Sequence, residues 1–214
     1  MITSAKLFSL GFLAAGVFLL SQIILPVVSF KLFEISQKYS NILLISPQIP
    51  KNNQVLGVSI KNDQSFSYFV SDVKRNGKPG YDEFSISIPR LRIDHAKVLV
   101  DNNDPSTALA HLPGSALPGE KGNVFISGHS ALSQLLSIEN AIFARLPDVK
   151  IGDQIMIEAG GGKFNYKVVD IKIVDPKDVS VIAAPDVQGR YVSLMTCVPP
   201  GLNFKRLVVI GEII

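Results

Sequence analysis

The hydrophobic positions of this chain follow two patterns, one near the N-terminus and one from residue 83 onward. From Leu7 to Phe30 no residue is charged, and a helix through this segment would be apolar on every side. At about 1.5 Å per residue it would be about 36 Å long, more than the roughly 30 Å of a hydrocarbon core. No small-x-small cleavage site follows it. We therefore predict a short tail at 1–6 and an uncleaved transmembrane anchor at 7–30.

Residues 31–82 lack sustained periodicity and are predicted to form a stalk. Pro47 and Pro50 interrupt its first part, and the turn-rich sequence KRNGKPG at 74–80 lies near its end. Apolar residues between Val55 and Val70 predict a short helix or hairpin that packs on the following domain.

The domain at 83–214 consists of short runs of alternating apolar and polar residues separated by Pro and Gly, which is typical of strands. The runs lie at 84–88, 91–93, 98–100, 124–126, 154–159, 163–174, 191–198 and 207–214. Gly160 to Gly162 predict a hairpin, and Ala131 to Val149 predict a loop followed by a short helix. The fold class is therefore all-β, a closed or nearly closed barrel with one or two short helices.

One strand changes face within its length. In the run 163–174, apolar residues occupy even positions up to Val168 and odd positions from Ile171 onward. Successive strand residues point to opposite faces, so the change predicts a β-bulge or face switch near Val168 and Val169.

Composition excludes several classes of function. The chain has 21 Lys and Arg against 18 Asp and Glu, a formal net charge of +3, which argues against a nucleic-acid partner because the basic residues are not clustered. Its one cysteine cannot form an intramolecular disulfide. No Cys/His cluster has zinc spacing and no glycine-rich phosphate loop occurs, so we predict neither a metal nor a cofactor.

The cysteine, Cys197, lies near the end of a predicted strand that begins at Tyr191. The Pro-Pro-Gly sequence at 199–201 takes the backbone out of the sheet, so we expect the sulfur beside a cleft rather than under one. Arg206 opens the next strand. If the two strands are neighbours, its guanidinium favours the thiolate over the thiol, whose ordinary pKa is about 8.5. The pattern alone also fits a small buried hydrophobe.

Three histidines could partner the cysteine. His95 follows Asp94 in a strand or edge turn and fits a solvated surface residue. His111 lies in a Pro/Gly-rich loop and fits a structural hydrogen bond. His129 follows the apolar run 124–126 between two small residues, which makes it the best candidate, although a structural role remains open.

Several motifs resemble those of the sortases, the cysteine transpeptidases of bacterial cell surfaces. Leu194-Met195-Thr196-Cys197 resembles their Leu-x-Thr-Cys signature. The segment GNVFISGHS at 122–130 resembles the family segment that ends in Gly-His, and SISIPRLRIDHAKV at 85–98 resembles the opening strand pair. The family run Thr-Cys-x-Pro-x-Gly-x-Asn-x-x-Arg is matched at Pro199, Gly201, Asn203 and Arg206.

The resemblance covers about 84–214 and implies a closed eight-stranded sortase-like barrel. It implies that Cys197 is the nucleophile, that His129 is the general acid and later base, and that Arg206 stabilises the oxyanion. Thr196 and Asn203 are implied as substrate-binding residues.

The implied function is that of a membrane-anchored cysteine transpeptidase, single-pass, with its catalytic domain outside the cytoplasm. It would cleave a Leu-Pro-x-Thr-Gly-like sorting signal of surface proteins through a thioester. The acceptor amine would come from a peptidoglycan precursor or a pilin lysine. A class C, D or E relation stays open, and wall anchoring is favoured because no aromatic lid is identified.

Two other readings stay open. One is an anchored cysteine hydrolase or protease that uses the same residues with water as acceptor. The other is a non-enzymatic, membrane-tethered barrel that binds a surface ligand, in which Cys197 is merely buried.

Overall fold

The structure, a computed structural model, describes two compact units, Met1–Ser46 and Pro47–Ile214. The described residues are 11–21, 24, 25, 28, 31, 32, 35, 58–63, 66–73, 77, 79–130, 141–200 and 204–214.

The first unit is helical at residues 11–21 and at the other described positions up to residue 35. Residues 11–20 are exposed along the whole segment, including Phe12, Leu13 and Phe18. Among the described residues, no helix is both long and apolar enough to cross a membrane. The predicted anchor at 7–30 also includes residues outside the described ones.

The second unit contains ten strands among its described residues. They are β1 (Val58–Asp63), β2 (Phe66–Ser71), β3 (Glu83–Ile88), β4 (Ile93–Leu99), β5 (Leu109–His111), β6 (Gly122–Ser127), β7 (Gln154–Ala159), β8 (Gly162–Val174), β9 (Arg190–Val198) and β10 (Lys205–Ile213).

Eight strands close into a barrel in the order β10-β8-β7-β3-β4-β5-β6-β9, which confirms the predicted all-β fold class. The pairs β4–β5 and β6–β9 are parallel, and the other neighbours are antiparallel. Alternate strand positions bury aliphatic side chains completely, as at Ile86, Val124, Ile157, Leu194 and Leu207. These side chains form the barrel core, and their period of two is the pattern seen in the sequence.

The predicted change of face in β8 is confirmed as a β-bulge. On the neighbouring β10, Ile210 pairs with Asp170 and Gly211 pairs with Val168, so Val169 is the extra residue. Val168 is buried, whereas Val169 is 40% exposed. The bulge lets both apolar halves of this long strand face the barrel core.

The hairpin between β7 and β8 is also as predicted, with Gly160 and Gly161 at φ 56° and 79°. Both torsions lie in the left-handed region, where glycine has no steric penalty.

The proline break after β3 has a different form from the predicted one. Leu91 belongs to a single 3-10 turn, Pro89–Leu91, and the strand resumes as β4 at Ile93. Two longer 3-10 segments, Ile142–Asp148 and Val179–Ile182, provide the short helices expected from the sequence.

The region predicted as a stalk contains an antiparallel hairpin, β1–β2. Its Phe69 is 4% exposed, and the ring centroid lies 5.9 Å from that of Phe125 on β6. Phe69 belongs to a buried apolar cluster with Val181, Ile182 and residues of β6, β9 and β10. The hairpin and the β8–β9 connection thus cover the outer face of these strands.

Candidate active site

Strands β9 and β10 bring the cysteine and the arginine together. In their antiparallel register, Cys197 is directly opposite Arg206, and Thr196 is opposite Leu207. Directly opposed residues place their side chains on the same face, with Cβ atoms about 4.5–5.5 Å apart. The expectation that the two runs are neighbouring strands is confirmed.

The Cys197–Arg206 pair follows an apolar pair on the outer face of the barrel. That preceding pair is Met195 with Val208, and both residues belong to the buried cluster that includes Phe69. Cys197 is 4% exposed and Arg206 is 1% exposed. The sequence predicted a sulfur beside a cleft, whereas the residue is almost entirely buried in the structure.

Arg206 lowers the pKa of the Cys197 thiol, as predicted, but burial has the larger and opposite effect. Burial raises this pKa to about 11. Desolvation disfavours the charged form, and one cation does not offset it fully. The neutral thiol is therefore the resting form near pH 7.

Burial lowers the pKa of Arg206, while Cys197 and Asp175 act in the opposite direction. The Arg206 Nη1 atom donates a hydrogen bond to the backbone carbonyl of Lys205 at 3.1 Å. Lys205 Nζ lies 3.6 Å from Asp175 Oδ2 at the end of β8. The hydrogen bond holds the guanidinium near the start of β10, and the ion pair joins that end of β10 to the end of β8.

The segment that carries His129 lies against the end of β9. The β6–β9 register ends with Ser127 opposite Met195, and His129 and Cys197 each follow two residues after this last pair. The Gly128 N–H donates to the Met195 carbonyl at 3.1 Å, and the Ser130 hydroxyl donates to the Cys197 carbonyl at 2.9 Å. The backbone on both sides of His129 is thus held beside the residues around the sulfur.

The space around Gly128 explains the small residue before the histidine. A Cβ at this position would lie 2.5 Å from Leu109 Cδ2 and 2.7 Å from Phe143 Cδ2. The predicted accessibility of the imidazole is only partial, since His129 is half-buried. Burial lowers the pKa of His129, and the carboxylate of Asp104 raises it.

Thr196 has a different position from the one expected of a substrate-binding residue. Its side chain is 1% exposed, and its hydroxyl donates to the Gly128 carbonyl at 2.9 Å. It lies on the opposite face of β9 from Cys197, because adjacent strand residues alternate. The Thr196 hydroxyl therefore joins β9 to the residue before His129. Asn203, the other predicted substrate-binding residue, lies outside the described residues.

The other two histidines have the structural roles expected from the sequence. His111 is fully buried, its Nδ1 atom accepts from the Asp101 N–H at 3.2 Å, and its Nε2 atom lies 2.9 Å from the Ala116 carbonyl. His95 has a 60% exposed side chain, and its Nδ1 atom lies 2.7 Å from Asp94 Oδ1.

Two residues that interact with the candidate site, Ser130 and Asp104, were not predicted from the sequence. Ser130 directly follows the candidate histidine, and a hydroxyl at that place was the available signal. Asp104 has no local signal, because it belongs to the β4–β5 connection and approaches His129 only through the fold. Across the described ranges, no group of three His, Cys, Asp or Glu residues could hold a metal ion.

Chemically, the arrangement brings a thiol, an imidazole and a buried guanidinium to the same end of three neighbouring strands, β6, β9 and β10. A thiolate is a nucleophile, an imidazolium can donate a proton, and a guanidinium can donate hydrogen bonds to an oxyanion. This set is suited to acyl transfer through a thioester.

Comparisons with known proteins point to one family. A family model described as Sortase domain matches residues 86–214. The chain is 28% identical over 131 residues to Sortase D of Bacillus subtilis, a match that covers 59% of this chain and 61% of that protein.

Solved sortases share the fold. Sortase A from Corynebacterium diphtheriae aligns with a TM-score of 0.54 and 34% identity, covering 63% of this chain and 61% of that one. Sortase C-1 from Actinomyces oris aligns with a TM-score of 0.54 and 28% identity, covering 61% and 73%. These relatives have names from different classes and do not favour one class, but the family-model match covers more than half of the sequence. The chain belongs to the sortase family.

Proposed function

We propose that this protein is a membrane-anchored cysteine transpeptidase that cleaves a Leu-Pro-x-Thr-Gly-like sorting signal and transfers the acyl group to an amine. Sortases are, as a family, generally cysteine transpeptidases, and this supports the reaction class. The observation that carries the proposal for this chain is the placement of Arg206 opposite Cys197, with the His129 segment held against the same strand end.

In the first half-reaction, the Cys197 thiolate attacks a peptide carbonyl carbon of the sorting signal and a C–S bond forms. Arg206 donates hydrogen bonds to the resulting oxyanion. When the oxyanion collapses, the C–N bond breaks and the His129 imidazolium gives its proton to the departing amine. A thioester and a neutral imidazole remain.

In the second half-reaction, the nitrogen of the acceptor amine attacks the thioester carbon. His129 takes a proton from that nitrogen, a new C–N bond forms, and the C–S bond breaks. The leaving group is the Cys197 thiolate, so the His129–Cys197 pair returns to its starting protonation. A water molecule in place of the amine gives hydrolysis.

The reactive form requires a charged pair in a largely buried site. Burial raises the pKa of Cys197 and lowers that of His129, so it disfavours the charge on both. Arg206 acts against burial at the thiolate and Asp104 acts against it at the imidazolium. The thiolate–imidazolium pair is then a minor form of the resting enzyme, and the reaction proceeds through that minor form.

The direct test incubates the full chain with a Leu-Pro-x-Thr-Gly peptide, with and without a primary amine, and identifies the products by mass spectrometry. Transpeptidation predicts a product that contains the amine. Products formed only by addition of water would favour the anchored hydrolase. Absence of any product, with a Cys197 thiol that resists alkylation until denaturation, would favour the non-enzymatic barrel. The 4% exposure of Cys197 is the observation that supports this second candidate.

The N-terminal segment is proposed as a single-pass membrane anchor that keeps the catalytic domain outside the cytoplasm. The uncharged sequence at 7–30 and the exposed apolar side chains of residues 11–20 support this. After expression in bacteria and alkaline washing of membranes, the full chain should remain in the membrane fraction. A chain that lacks residues 2–30 should be released, and release of both would exclude the anchor.

Cell-wall anchoring is the proposed role ahead of pilin polymerisation. Both reactions need surface proteins with a C-terminal sorting signal, and they differ in the acceptor amine, which belongs to a peptidoglycan precursor or to a pilin lysine. A competition assay with both amines separates the roles. Preferential transfer to a lysine-bearing pilin peptide would reverse the assignment.

A further inference from the structure

The pairing between β6 and β9 changes its character where the candidate catalytic residues begin. Regular pairing ends at Ser127 and Met195, and one more backbone bond follows, from the Gly128 N–H to the Met195 carbonyl. Beyond it, side-chain hydroxyls provide the donors. The Thr196 hydroxyl donates to the Gly128 carbonyl at 2.9 Å, and the Ser130 hydroxyl donates to the Cys197 carbonyl at 2.9 Å.

These two bonds join the segment after β6 to the end of β9, and their donors lie on opposite sides. Thr196 belongs to β9 and reaches the residue before His129, whereas Ser130 follows His129 and reaches the carbonyl of Cys197. The carbonyl of His129 itself accepts from the Phe143 N–H at 3.2 Å. The main chain at the histidine is therefore tied at successive residues, although it has left the regular ladder.

From this geometry we infer that Ser130 is a positioning residue, which sets the approach of His129 to Cys197 through its hydrogen bond to the Cys197 carbonyl. The inference rests on the proposed function in its assignment of roles to His129 and Cys197. Ser130 contacts neither the sulfur nor the substrate in this role. It sets the distance between His129 and Cys197, the two residues that form the thiolate–imidazolium pair.

The physical reason is the short distance over which proton transfer works. A general acid must lie within hydrogen-bond reach of its partner, and a displacement of about 1 Å can cost about 100-fold in rate. Without the Ser130 hydroxyl, the segment after His129 loses its side-chain tie to the residue that carries the nucleophile. The Gly128 side of the histidine stays attached, so the expected change is a shift in geometry rather than unfolding.

The test uses the full chain and four single variants, of which His129→Ala gives the alkylation profile of a protein without the imidazole. Ser130→Ala removes the donor, and Ser130→Thr keeps a hydroxyl at the same place. Ser127→Ala is the matched control, since Ser127 lies three positions earlier and its hydroxyl also donates to a backbone carbonyl, that of Ala110 at 3.5 Å. Each variant is compared with wild type in its thermal midpoint, its kcat and KM for peptide transfer, and its rate of Cys197 alkylation by iodoacetamide as a function of pH.

We expect Ser130→Ala to lower kcat on the order of 10-fold to 100-fold with an unchanged KM. The thermal midpoint should fall only slightly, because this hydrogen bond is only partly buried. The alkylation rate of Ser130→Ala as a function of pH should approach that of His129→Ala, because a displaced imidazole has less effect on the ionisation of the sulfur. Ser130→Thr should restore most of the rate, and Ser127→Ala should behave as wild type.

A wild-type kcat and alkylation profile in Ser130→Ala would overturn the inference, as would a Ser127→Ala variant with the same losses or a Ser130→Thr variant without rescue. Alkylation separates this inference from the proposed function because it needs no sorting signal. If wild type transfers no peptide but Ser130→Ala still alters the alkylation profile, the proposed function fails and the positioning role stands. If wild type transfers peptide and Ser130→Ala changes nothing, the positioning role alone fails.

Discussion

The two faces of β9 differ in what they contribute to the protein. On the inner face, Leu194 and Thr196 complete the barrel core, and the one polar group there is used for a hydrogen bond inside the protein. On the outer face, Met195 joins the apolar cluster under the hairpin, and the next residue on that face, Cys197, is opposite a buried arginine. Both faces are buried, but only the outer face pairs a reactive group with a charge.

This difference shows that burial alone does not distinguish a structural position from a chemical one in this strand. Thr196 and Cys197 are adjacent, and each is less than 5% exposed. What separates them is the partner that the neighbouring strand supplies, Leu207 for Thr196 and Arg206 for Cys197. Substitutions on the inner face should accordingly lower chiefly the stability, and substitutions on the outer face should lower chiefly the activity.

The largest expected effect is that of Cys197→Ala on the outer face. Without the sulfur no thioester can form, so peptide cleavage and transfer should fall to background in the mass-spectrometric assay. The free energy of unfolding should change by roughly 1 kcal/mol, since only one buried heavy atom is removed. Residual turnover by a folded Cys197→Ala variant would contradict the proposed nucleophile.

The next effect is that of Arg206→Gln, which removes the cation opposite the sulfur. Loss of an oxyanion donor should lower kcat by roughly 100-fold to 1,000-fold. Arg206 lowers the pKa of Cys197, so its removal should raise that pKa and move the alkaline limb of the pH–rate profile to higher pH. Iodoacetamide titration measures the shift, and an unmoved alkaline limb would show that the guanidinium does not act on the sulfur.

On the inner face, Thr196→Val should chiefly affect stability. The substitution keeps the shape but leaves the Gly128 carbonyl without its hydroxyl donor, at a cost of about 1–3 kcal/mol. Chemical denaturation of Thr196→Val and Cys197→Ala in parallel tests the comparison of the two faces. A larger stability loss in Cys197→Ala than in Thr196→Val would reverse it.

The smallest expected effect is that of Asp104→Asn. Asp104 raises the pKa of His129, so its loss should lower that pKa and move the acid limb of the profile to lower pH. The maximum rate of the profile should fall as well, because a wider gap between the His129 and Cys197 pKa values makes the thiolate–imidazolium pair rarer. The decrease should be roughly fivefold or less, since one exposed charge has a weak effect. Asp94→Asn, an exposed carboxylate on β4, is the control, and an identical profile in both variants would remove Asp104 from the site.

Much of the fold follows from local patterns. The parity change at Val168 was enough to predict the bulge, because strand alternation is a property of neighbouring residues. The glycines at 160–162 indicated the hairpin, because a tight turn also depends on adjacent residues. The apolar residues at 55–70 indicated a packed element, although their pattern could not choose between a helix and the observed hairpin.

The environment of the candidate site was harder to predict. Arg206 was expected near Cys197 because the two runs are consecutive in sequence and form a hairpin-like pair. The burial of Cys197 was not predicted, and neither was the packing of the preceding pair on the same face, Met195 and Val208, with Phe69, Val181 and Ile182. Pattern analysis of one strand carries no information about which layer covers its second face.

The sequence by itself determined the strands, the bulge and the residue types needed for thiol acyl transfer, since these depend on alternation, turn chemistry and side-chain identity over short distances. Only the tertiary structure decided the electrostatics of the sulfur, the inward position of Thr196 and the tie from Ser130 to Cys197. Desolvation and hydrogen bonding depend on which groups surround an atom in space, and closing the barrel brings those groups from strands and connections that are remote in sequence.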